Sequence, residues 1–245
     1  MIKKKTAAKK EAGYQGYLKQ IEALSKVANL IASGMYLDEL LRLIVQVTAE
    51  VMNSKISSLM ILDQEKKELV IRATQSVSDA YNKKANLKLG QGIAGLAALE
   101  NKPVIVLDLQ KDKRYLNQDI ARMEGLVSLA SVPLAVRGRV IGVLNCYTSK
   151  KHEFTKTELN ILTALANQAA LAIDNAELAV RARSAEEALQ TRKLVERAKE
   201  ILSLDANIQS QEAYRLIQKQ SMDSRKSMRD IAEAIILSHD LKAKR

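Results

Sequence analysis

Basic side chains with one tyrosine among them mark the last quarter of the sequence. Arg and Lys neutralise phosphates and release counterions, and a tyrosine ring offers a stacking face for an unpaired base. Helix N-termini in the same region would add backbone donors for phosphate. The residues that could contact RNA are Arg192, Lys193, Lys199, Tyr214, Arg215, Lys219, Arg225, Lys226 and Arg229. Residue type alone leaves a second interpretation open, in which these charges are simply solvated on exposed helix faces.

Residues that could perform catalysis or bind a metal are sparse. The sequence has one cysteine, Cys146, which excludes an intramolecular disulfide, and two histidines, His152 and His239. Neither histidine has a Ser/Asp or Cys partner at motif spacing, and no Cys/His zinc pattern is available. Cys146 alternates with Leu144 in a β-rich run, which predicts a side chain that points into a core or cavity. We therefore predict a protein that is not an enzyme and that holds no metal.

The chain is strongly basic, with a formal charge of +11 over 245 residues. The first twenty residues contain six lysines and one acid, and residues 190–245 carry twelve basic and eight acidic groups. A polyanion is a plausible partner for either segment, although net charge also governs solubility. No apolar run approaches the roughly 20 residues of a membrane span, and the lysine-rich start lacks the apolar core of a signal peptide. We expect two domains, a disordered basic tail over 1–13 and a cytoplasmic location.

Short strands and amphipathic helices alternate in the first 150 residues. Apolar spacings of three and four from Tyr14 to Ile31 predict an amphipathic helix, and a broad apolar face predicts a second helix over 37–52. The β-rich runs ISSLMIL and ELVIRAT, separated by DQEKK, predict an antiparallel hairpin. A polar loop over 75–86 follows. Two further strands flank Arg137-Gly138, a tight turn in which glycine easily adopts a positive φ.

The glycines of the segment GQGIAGLAALENKPVIVLD resemble the start of a dinucleotide-binding fingerprint. Gly90, Gly92 and Gly95 do not complete that fingerprint, because no long strand precedes them and no P-loop Lys-Ser/Thr follows. They favour a turn that lets a short helix pack closely on a sheet. Pro103 then opens a strand that we expect to end at Asp108.

About fifty residues from Phe154 to Ser203 contain no Gly or Pro and predict one long helix. Thr155 and Glu158 have the spacing of a capping box at its start. A heptad seam follows, from which we expect a homodimer that pairs this helix and the N-terminal helix with those of a second chain. The seam comprises positions 162, 165, 169, 172, 176 and 179.

The last fifty residues predict only helices. Breaks over 207–210 and 223–224 separate two helices from the end of the long one, and we expect Ser210 and Ser227 to cap them. Asp230 stands three residues after Ser227, where a capping box has its acid. The chain should therefore end in a three-helix bundle.

Residues 55–178 resemble the GAF family of small-molecule-sensing domains, through LGQGIAGLAALENKPVIVLD, SLASVPLAVRGRVIGVLNCYTSK and FTKTELNILTALANQAALAIDNAEL. The resemblance implies an antiparallel sheet flanked by helices, a ligand cavity on one sheet face, and dimerisation through the first and last helices. We assign residues 14–184 to this domain, with an unknown small molecule as its ligand. Polar residues at sheet or helix ends are candidates for the cavity: Gln91, Asp108, Ser131 and Asn145.

The C-terminal segment resembles the ANTAR family, the RNA-binding module of transcription antitermination regulators, at ALQTRKLVERAKEIL, SQEAYRLIQKQSMD and RKSMRDIAEAII. The resemblance implies that residues 185–245 form a three-helix domain, that the nine residues named above contact RNA hairpin loops, and that binding favours an antiterminator in a nascent transcript. The family commonly has glycine after Ala198-Lys199, where this chain has Glu200. The predicted fold class is α+β, a GAF-like sheet joined by a long helix to an all-α bundle.

Two other functions remain open at this point. The segment SMRDIAEAII looks like the first helix of a DNA-binding helix-turn-helix, although the nine residues after it are too few for a turn and a recognition helix. The helical tail could instead bind a protein partner. The two family resemblances together imply a signal-responsive regulator that binds RNA and promotes antitermination.

Overall fold

The computed structural model describes residues 36–242. The predicted basic tail and the predicted N-terminal helix lie outside the described residues. Spatial clustering of the backbone divides the chain into two units, 1–176 and 177–245, and each is described by itself. Within 36–242, no helix has both the length and the apolar content that crossing a membrane would require.

The first unit is built on a six-stranded sheet in which every neighbouring pair is antiparallel. The strand order is β3-β2-β1-β6-β5-β4. The predicted hairpin is β1–β2, and the predicted turn at Arg137 (φ 51°) and Gly138 (φ 80°) joins β5 to β6. The strands are β1 (Ile56–Asp63), β2 (Glu68–Thr74), β3 (Leu87–Lys88), β4 (Val104–Val106), β5 (Ser128–Val136) and β6 (Arg139–Thr148).

In the described part of the chain, one helix precedes the strands of the first unit and three lie between them: α1 (Leu37–Met52), then α2 (Asp79–Asn82), α3 (Gly92–Glu100) and α4 (Gln118–Met123). Helix α1 has the predicted bounds. The segment 75–86 is not all loop, because the hydroxyl of Ser78 accepts a hydrogen bond from the Tyr81 N–H at 3.3 Å and starts α2. Strand β4 is shorter than predicted because Asp108 already lies in a turn, where its carbonyl accepts from the Lys111 and Asp112 N–H groups.

The sheet is covered on both faces, which explains the almost continuous apolar run of β5. One face packs against α1 and the start of the long helix, burying Leu41, Ile44, Leu144, Leu162 and Leu165. The other face packs against α3 and the loops around it, burying Met60, Tyr81, Ile93, Leu129 and Tyr147. Close packing of α3 requires Gly95, because a Cβ there would lie 2.5 Å from the Lys88 carbonyl oxygen. The predicted close-packing role of this glycine segment is confirmed.

The long helix, α5, spans Lys156–Ala206. Its predicted capping box forms: the Thr155 N–H donates to Glu158 Oε2 at 2.7 Å, and the Glu158 N–H donates to Thr155 Oγ1 at 3.2 Å. The predicted heptad seam is wrong in its first half. Leu162, Leu165 and Ala169 are fully buried in the core of the first unit, because the sheet takes up the apolar face of the helix.

The second unit is a three-helix bundle of the end of α5 with α6 (Ser210–Ser224) and α7 (Met228–Lys242). One alanine from each helix, Ala198, Ala213 and Ala232, is fully buried, and such small side chains let the helices approach closely. The Ser227–Asp230 capping box forms as predicted, with the Asp230 N–H 3.1 Å from Ser227 Oγ. Ser210 is the first residue of α6 rather than its N-cap, which is Gln209. The bundle core consists of Val195, Ala198, Ile201, Ile217, Ile231, Ala232 and Ile236.

Candidate nucleic-acid interface and sensor cavity

Eight of the nine side chains predicted to contact RNA lie on the exposed surface of the second unit, and Lys199 is partly buried. The ring of Tyr214 is 43% exposed, enough for a base to reach it. Arg215 and Lys219 stand one turn apart on the same face of α6. Arg225 and Lys226 occupy the turn that leads into α7.

Ion pairs divide this set into two groups. Lys199 pairs with Glu196, and the Arg229 Nε lies 2.8 Å from Glu233 Oε1. These two cations are already partly neutralised, and the Arg229 pKa is raised by its hydrogen bond to Glu233. The remaining cations have no ion-pair partner among residues 36–242: Arg192, Lys193, Arg215, Lys219, Arg225 and Lys226.

A shallow surface groove of about 460 Å³ runs along α5 and contains Arg192 and Lys193. Glu196 and Glu200 line the same groove, together with Arg197 and Leu189. The groove is therefore mixed in charge. Glu200, which replaces the glycine common in the ANTAR family, places a carboxylate beside cations that could hold phosphate.

A second groove of about 570 Å³ crosses the bundle between its three helices. Apolar side chains line it, including Leu202, Leu216 and Ile235, while Lys226, His239 and Lys242 supply polar groups. Leu216 is 48% exposed although it lines this groove. A partner that covers this groove would bury apolar surface, which is the feature of a protein-binding site rather than of a phosphate site.

The first unit encloses a small cavity between the sheet, the start of α3 and two loops. Its volume is about 10 Å³, room for about one water molecule. None of the residues around it is acidic. They are Met60, Lys84, Leu87, Gly92, Ile93, Ala94, Tyr115, Leu116, Asn117, Leu129 and Tyr147.

Lys84 is the one cation of this cavity, and aromatic rings surround it. Its ammonium nitrogen lies 3.7 Å from the centre of the Tyr81 ring and 5.5 Å from that of Tyr147. Tyr147 in turn makes edge-to-face contacts with Tyr81 and Tyr115, at centroid distances of 5.8 and 6.3 Å. Burial lowers the pKa of Lys84 to about 7, because the rings replace water but supply no negative charge. The sequence did not identify Lys84, which stands in a polar run without a recognisable motif.

Two hydroxyl groups beside Lys84 differ in their partners. The Tyr81 hydroxyl lies 2.8 Å from Ser58 Oγ, while the Tyr115 hydroxyl, in a residue only 5% exposed, has no hydrogen-bond partner within the described part of the chain. Burial also raises the pKa of Tyr81, Tyr115 and Tyr147 above that of free tyrosine. All three rings are therefore neutral at physiological pH.

Two of the four predicted cavity residues belong to a buried network on the cavity side of the sheet. Ser131 Oγ donates to Asn145 Oδ1 at 2.7 Å, and Asn145 Nδ2 lies 3.5 Å from Ser58 Oγ, which continues to Tyr81. These side chains support the cavity wall without lining the cavity. The other two predicted residues lie elsewhere: Gln91 Oε1 accepts from the Lys88 N–H at 3.0 Å, and Asp108 Oδ1 accepts from the Gln110 N–H at 3.2 Å.

The contacts of Cys146 and His152, which were considered for catalysis, are those of structural residues. Cys146 is fully buried, as predicted, and burial raises its pKa to about 12, so that the reactive thiolate is strongly disfavoured. His152 Nε2 lies 3.0 Å from Glu158 Oε1 at the start of α5. No cluster of three or more His, Cys, Asp or Glu side chains suited to a metal occurs within 36–242.

Lys84 should make stability depend on pH in a predictable direction. Its pKa is about 7 in the folded state and about 10.4 when unfolded, so between these values the unfolded chain binds more protons. The free energy of unfolding should therefore rise from pH 7 to pH 10 by up to about 1.4 kcal/mol per unit, relative to Lys84→Met. Urea unfolding at four pH values measures this difference. The exposed neighbour Lys83 gives the control, since Lys83→Met should keep the wild-type dependence of unfolding free energy on pH. If Lys84→Met also kept that dependence, Lys84 would not be its cause.

Two family models match the chain. A GAF domain model matches residues 35–174, and an ANTAR domain model matches residues 183–236. The chain belongs to the GAF domain family, and its GAF domain is followed by an ANTAR domain. Both are regulatory modules, as the sequence resemblance predicted.

Known proteins resemble the chain over one or both domains. It is 31% identical over 193 residues to the methyl sulfide methyltransferase-associated sensor of Methanosarcina acetivorans, covering 73% of this chain but only 19% of that protein. It is 26% identical over 155 residues to the transcriptional regulatory protein PdtaR of Mycobacterium tuberculosis, covering 60% of this chain and 73% of that protein. The solved GAF domain of a phosphoenolpyruvate-protein phosphotransferase from Coxiella burnetii superposes with a TM-score of 0.60, at 24% identity, over 69% of this chain and 98% of that one. The last likeness concerns the fold alone.

Proposed function

We propose that this protein is a signal-responsive regulator that binds RNA hairpins in nascent transcripts and promotes transcription antitermination. The observation that carries the proposal is the ANTAR domain, which is joined to a GAF domain in one chain. The similarity to PdtaR, a transcriptional regulatory protein, is consistent with it. A regulator of nascent transcripts would act in the cytoplasm.

The surface of the second unit supports RNA as the partner. Six of the eight candidate cations have no ion-pair partner within residues 36–242, and an exposed tyrosine lies among them. Side chains of this kind bind phosphates and stack on the unpaired bases of hairpin loops. We assign the contacts to Arg192, Lys193, Lys199, Tyr214, Arg215, Lys219, Arg225, Lys226 and Arg229, with Lys199 and Arg229 contributing less because of their ion pairs.

Control of RNA binding is assigned to the GAF domain. A ligand in its cavity shifts an equilibrium between two states only to the extent that it binds one state more tightly. We propose that the chain acts as a homodimer, and that ligand binding changes how two ANTAR domains engage two adjacent hairpins. Apolar residues of α5 that stay exposed in the single chain are candidates for the dimer contact: Leu171 at 47%, Leu178 at 43% and Val180 at 67%.

Titration of a two-hairpin RNA and of duplex DNA against the full chain, in a series of salt concentrations, tests RNA binding. We expect RNA to bind more tightly than DNA, with an affinity that falls with salt by a slope of roughly 0.7 per neutralised phosphate. Equal binding of RNA and DNA, lost when residues 1–12 are deleted, would instead assign the affinity to the lysine-rich start.

Glu200 should oppose RNA binding. Its carboxylate lines the same groove as Arg192 and Lys193 and would repel a phosphate held there. We expect Glu200→Gln to strengthen hairpin binding by about threefold at low salt, with a smaller gain at high salt because salt screens exposed charges. Glu65→Gln, an exposed acid of the first unit, serves as the control in the same titration. Unchanged affinity in Glu200→Gln would place the RNA away from this groove.

A second candidate function has one observation in its favour. The apolar groove of about 570 Å³ between the bundle helices could bind a protein partner, with RNA playing no part. The same titration separates the two functions, because a protein-binding bundle would show no preference for hairpin RNA at any salt concentration.

A further inference from the structure

The cavity of the GAF domain has the chemistry of an anion site. Its only charged lining residue is Lys84, and no Asp or Glu lies among the lining residues. The ammonium group rests on the faces of Tyr81 and Tyr147 instead of pairing with a carboxylate. A positive charge held this way attracts an anion and gains a partner when the anion enters.

The first turn of a helix lies beside the same space. Helix α3 starts at the cavity, where Gly92, Ile93 and Ala94 form its first turn. No side chain caps this turn, because Gln91 accepts from Lys88 instead. First-turn N–H groups lack partners within their helix and favour negative charge. Ile93 and Ala94 are almost fully buried and both line the cavity, so bulk water has little access to this first turn.

A third donor is independent of the helix. Tyr115 lines the cavity and is 5% exposed, and its hydroxyl has no hydrogen-bond partner among the described residues. A buried hydroxyl without a partner is unfavourable, so a ligand that accepts its hydrogen bond is stabilised there. Leu87, Leu129 and Met60 complete the lining with apolar surface suited to a short carbon chain.

We infer that the GAF cavity binds a small oxyanion, with Lys84, the Tyr115 hydroxyl and the first turn of α3 as its donors. The inference rests on the proposed sensory role of this domain and names its ligand class. The present volume of about 10 Å³ admits little more than a water molecule, so a bound oxyanion must draw Lys84 away from the Tyr81 ring and pair with it. A short-chain carboxylate would place its carbon atoms against Leu129 and Met60, whereas nitrate or phosphate would use the donors alone.

Isothermal titration of the full chain with acetate, propionate, nitrate and phosphate, at constant ionic strength with chloride, tests the inference. We expect at least one of the four to bind, and the pattern among them tells a carboxylate from an inorganic oxyanion. Lys84→Met should weaken that binding by at least about tenfold, and Lys83→Met, which changes an exposed neighbour, should leave it unchanged. Tyr115→Phe should also weaken binding, because it removes one of the proposed hydrogen-bond donors. Binding by none of the four, or binding that survives Lys84→Met, would overturn the inference.

NMR titration of Lys84 in the wild-type protein tests the same site without a variant that could fail to fold. In wild-type protein with isotope-labelled lysine, the pKa of Lys84 should rise from about 7 when the oxyanion binds, and chloride should not raise it. Affinity should fall from pH 6 to pH 8 as Lys84 loses its proton, since the facing Tyr81, Tyr115 and Tyr147 stay neutral over this range. An unchanged Lys84 pKa at saturating oxyanion would contradict the assignment.

Failure of this inference is distinguishable from failure of the proposed function. If an oxyanion binds through Lys84 but leaves hairpin RNA affinity unchanged, the ligand class stands and control of RNA binding by this site fails. If no oxyanion binds and another molecule changes RNA affinity, the sensory role stands and the ligand class fails.

Discussion

Replacing Arg192, Arg215 and Lys219 together by glutamine should weaken hairpin RNA binding by roughly 100-fold at 0.1 M salt. None of the three has an ion-pair partner within residues 36–242, so each is available for a phosphate. A hydrogen bond to a charged group contributes about 1.5–3 kcal/mol, so the complete loss of three would weaken binding by more than roughly 100-fold. We expect water to replace part of each contact, which reduces the loss to roughly 100-fold. The slope of affinity against salt should become shallower by about 2, since each phosphate contributes roughly 0.7. Fluorescence titration across a salt series measures both quantities.

The matched control removes the same net charge from the first unit. Lys55, Lys102 and Lys113 are exposed lysines of the GAF domain, and their triple change to glutamine should alter affinity by less than about twofold. Equal loss in the two triple variants would mean that the protein attracts RNA through its overall charge, not through the ANTAR surface.

Gly142→Ala should be the most destabilising small substitution in the GAF domain. Gly142 lies opposite Ile61 where β6 pairs with β1 at the centre of the sheet, and a Cβ there would stand 2.3 Å from the Met60 carbonyl oxygen. The obstacle is backbone of the neighbouring strand, which cannot rotate away as a side chain can. We expect a loss of roughly 3 kcal/mol of unfolding free energy, at the upper end of overpacking effects, together with loss of the cavity that Met60 lines. Urea unfolding measures this loss.

Gly138→Ala separates this steric effect from backbone strain. Gly138 has φ +80° in the β5–β6 turn, and no atom lies within 4 Å of a Cβ built there. Its substitution should cost about 1–2 kcal/mol from the left-handed backbone conformation alone. If Gly142→Ala were no more destabilising than Gly138→Ala, the contact with Met60 O would not be the cause.

Local sequence patterns predicted much of the fold, because the interactions concerned span only a few residues. The Thr155–Glu158 and Ser227–Asp230 capping boxes form as predicted, and the apolar periodicity of α1 gives its bounds correctly. The heptad seam failed because periodicity shows that a helix face is apolar but not what covers it. Leu162 and Leu165 pack on the protein's own sheet.

The cavity of the GAF domain could not be predicted from the sequence in the same way. Lys84 acquires its surroundings only when β6 brings Tyr147, helix α2 brings Tyr81, and the loop before α4 brings Tyr115 to one side of the sheet. Nothing adjacent to Lys84 in the sequence distinguishes it from Lys83. Polarity at strand positions did select Ser131 and Asn145, but their hydrogen bonds to each other and to Ser58 were not apparent from the sequence.

Binding of hairpin RNA in cells is tested most directly by sequencing the RNA that crosslinks to the full chain. The wild-type protein is compared with the variant in which Arg192, Arg215 and Lys219 are all glutamine. We predict wild-type crosslinks concentrated in hairpin loops of leader transcripts upstream of terminators, and their loss in the variant at equal protein level. Crosslinks spread evenly over transcripts, or equal recovery of the same loops by the variant, would contradict the assignment of this protein as an RNA-binding antitermination regulator.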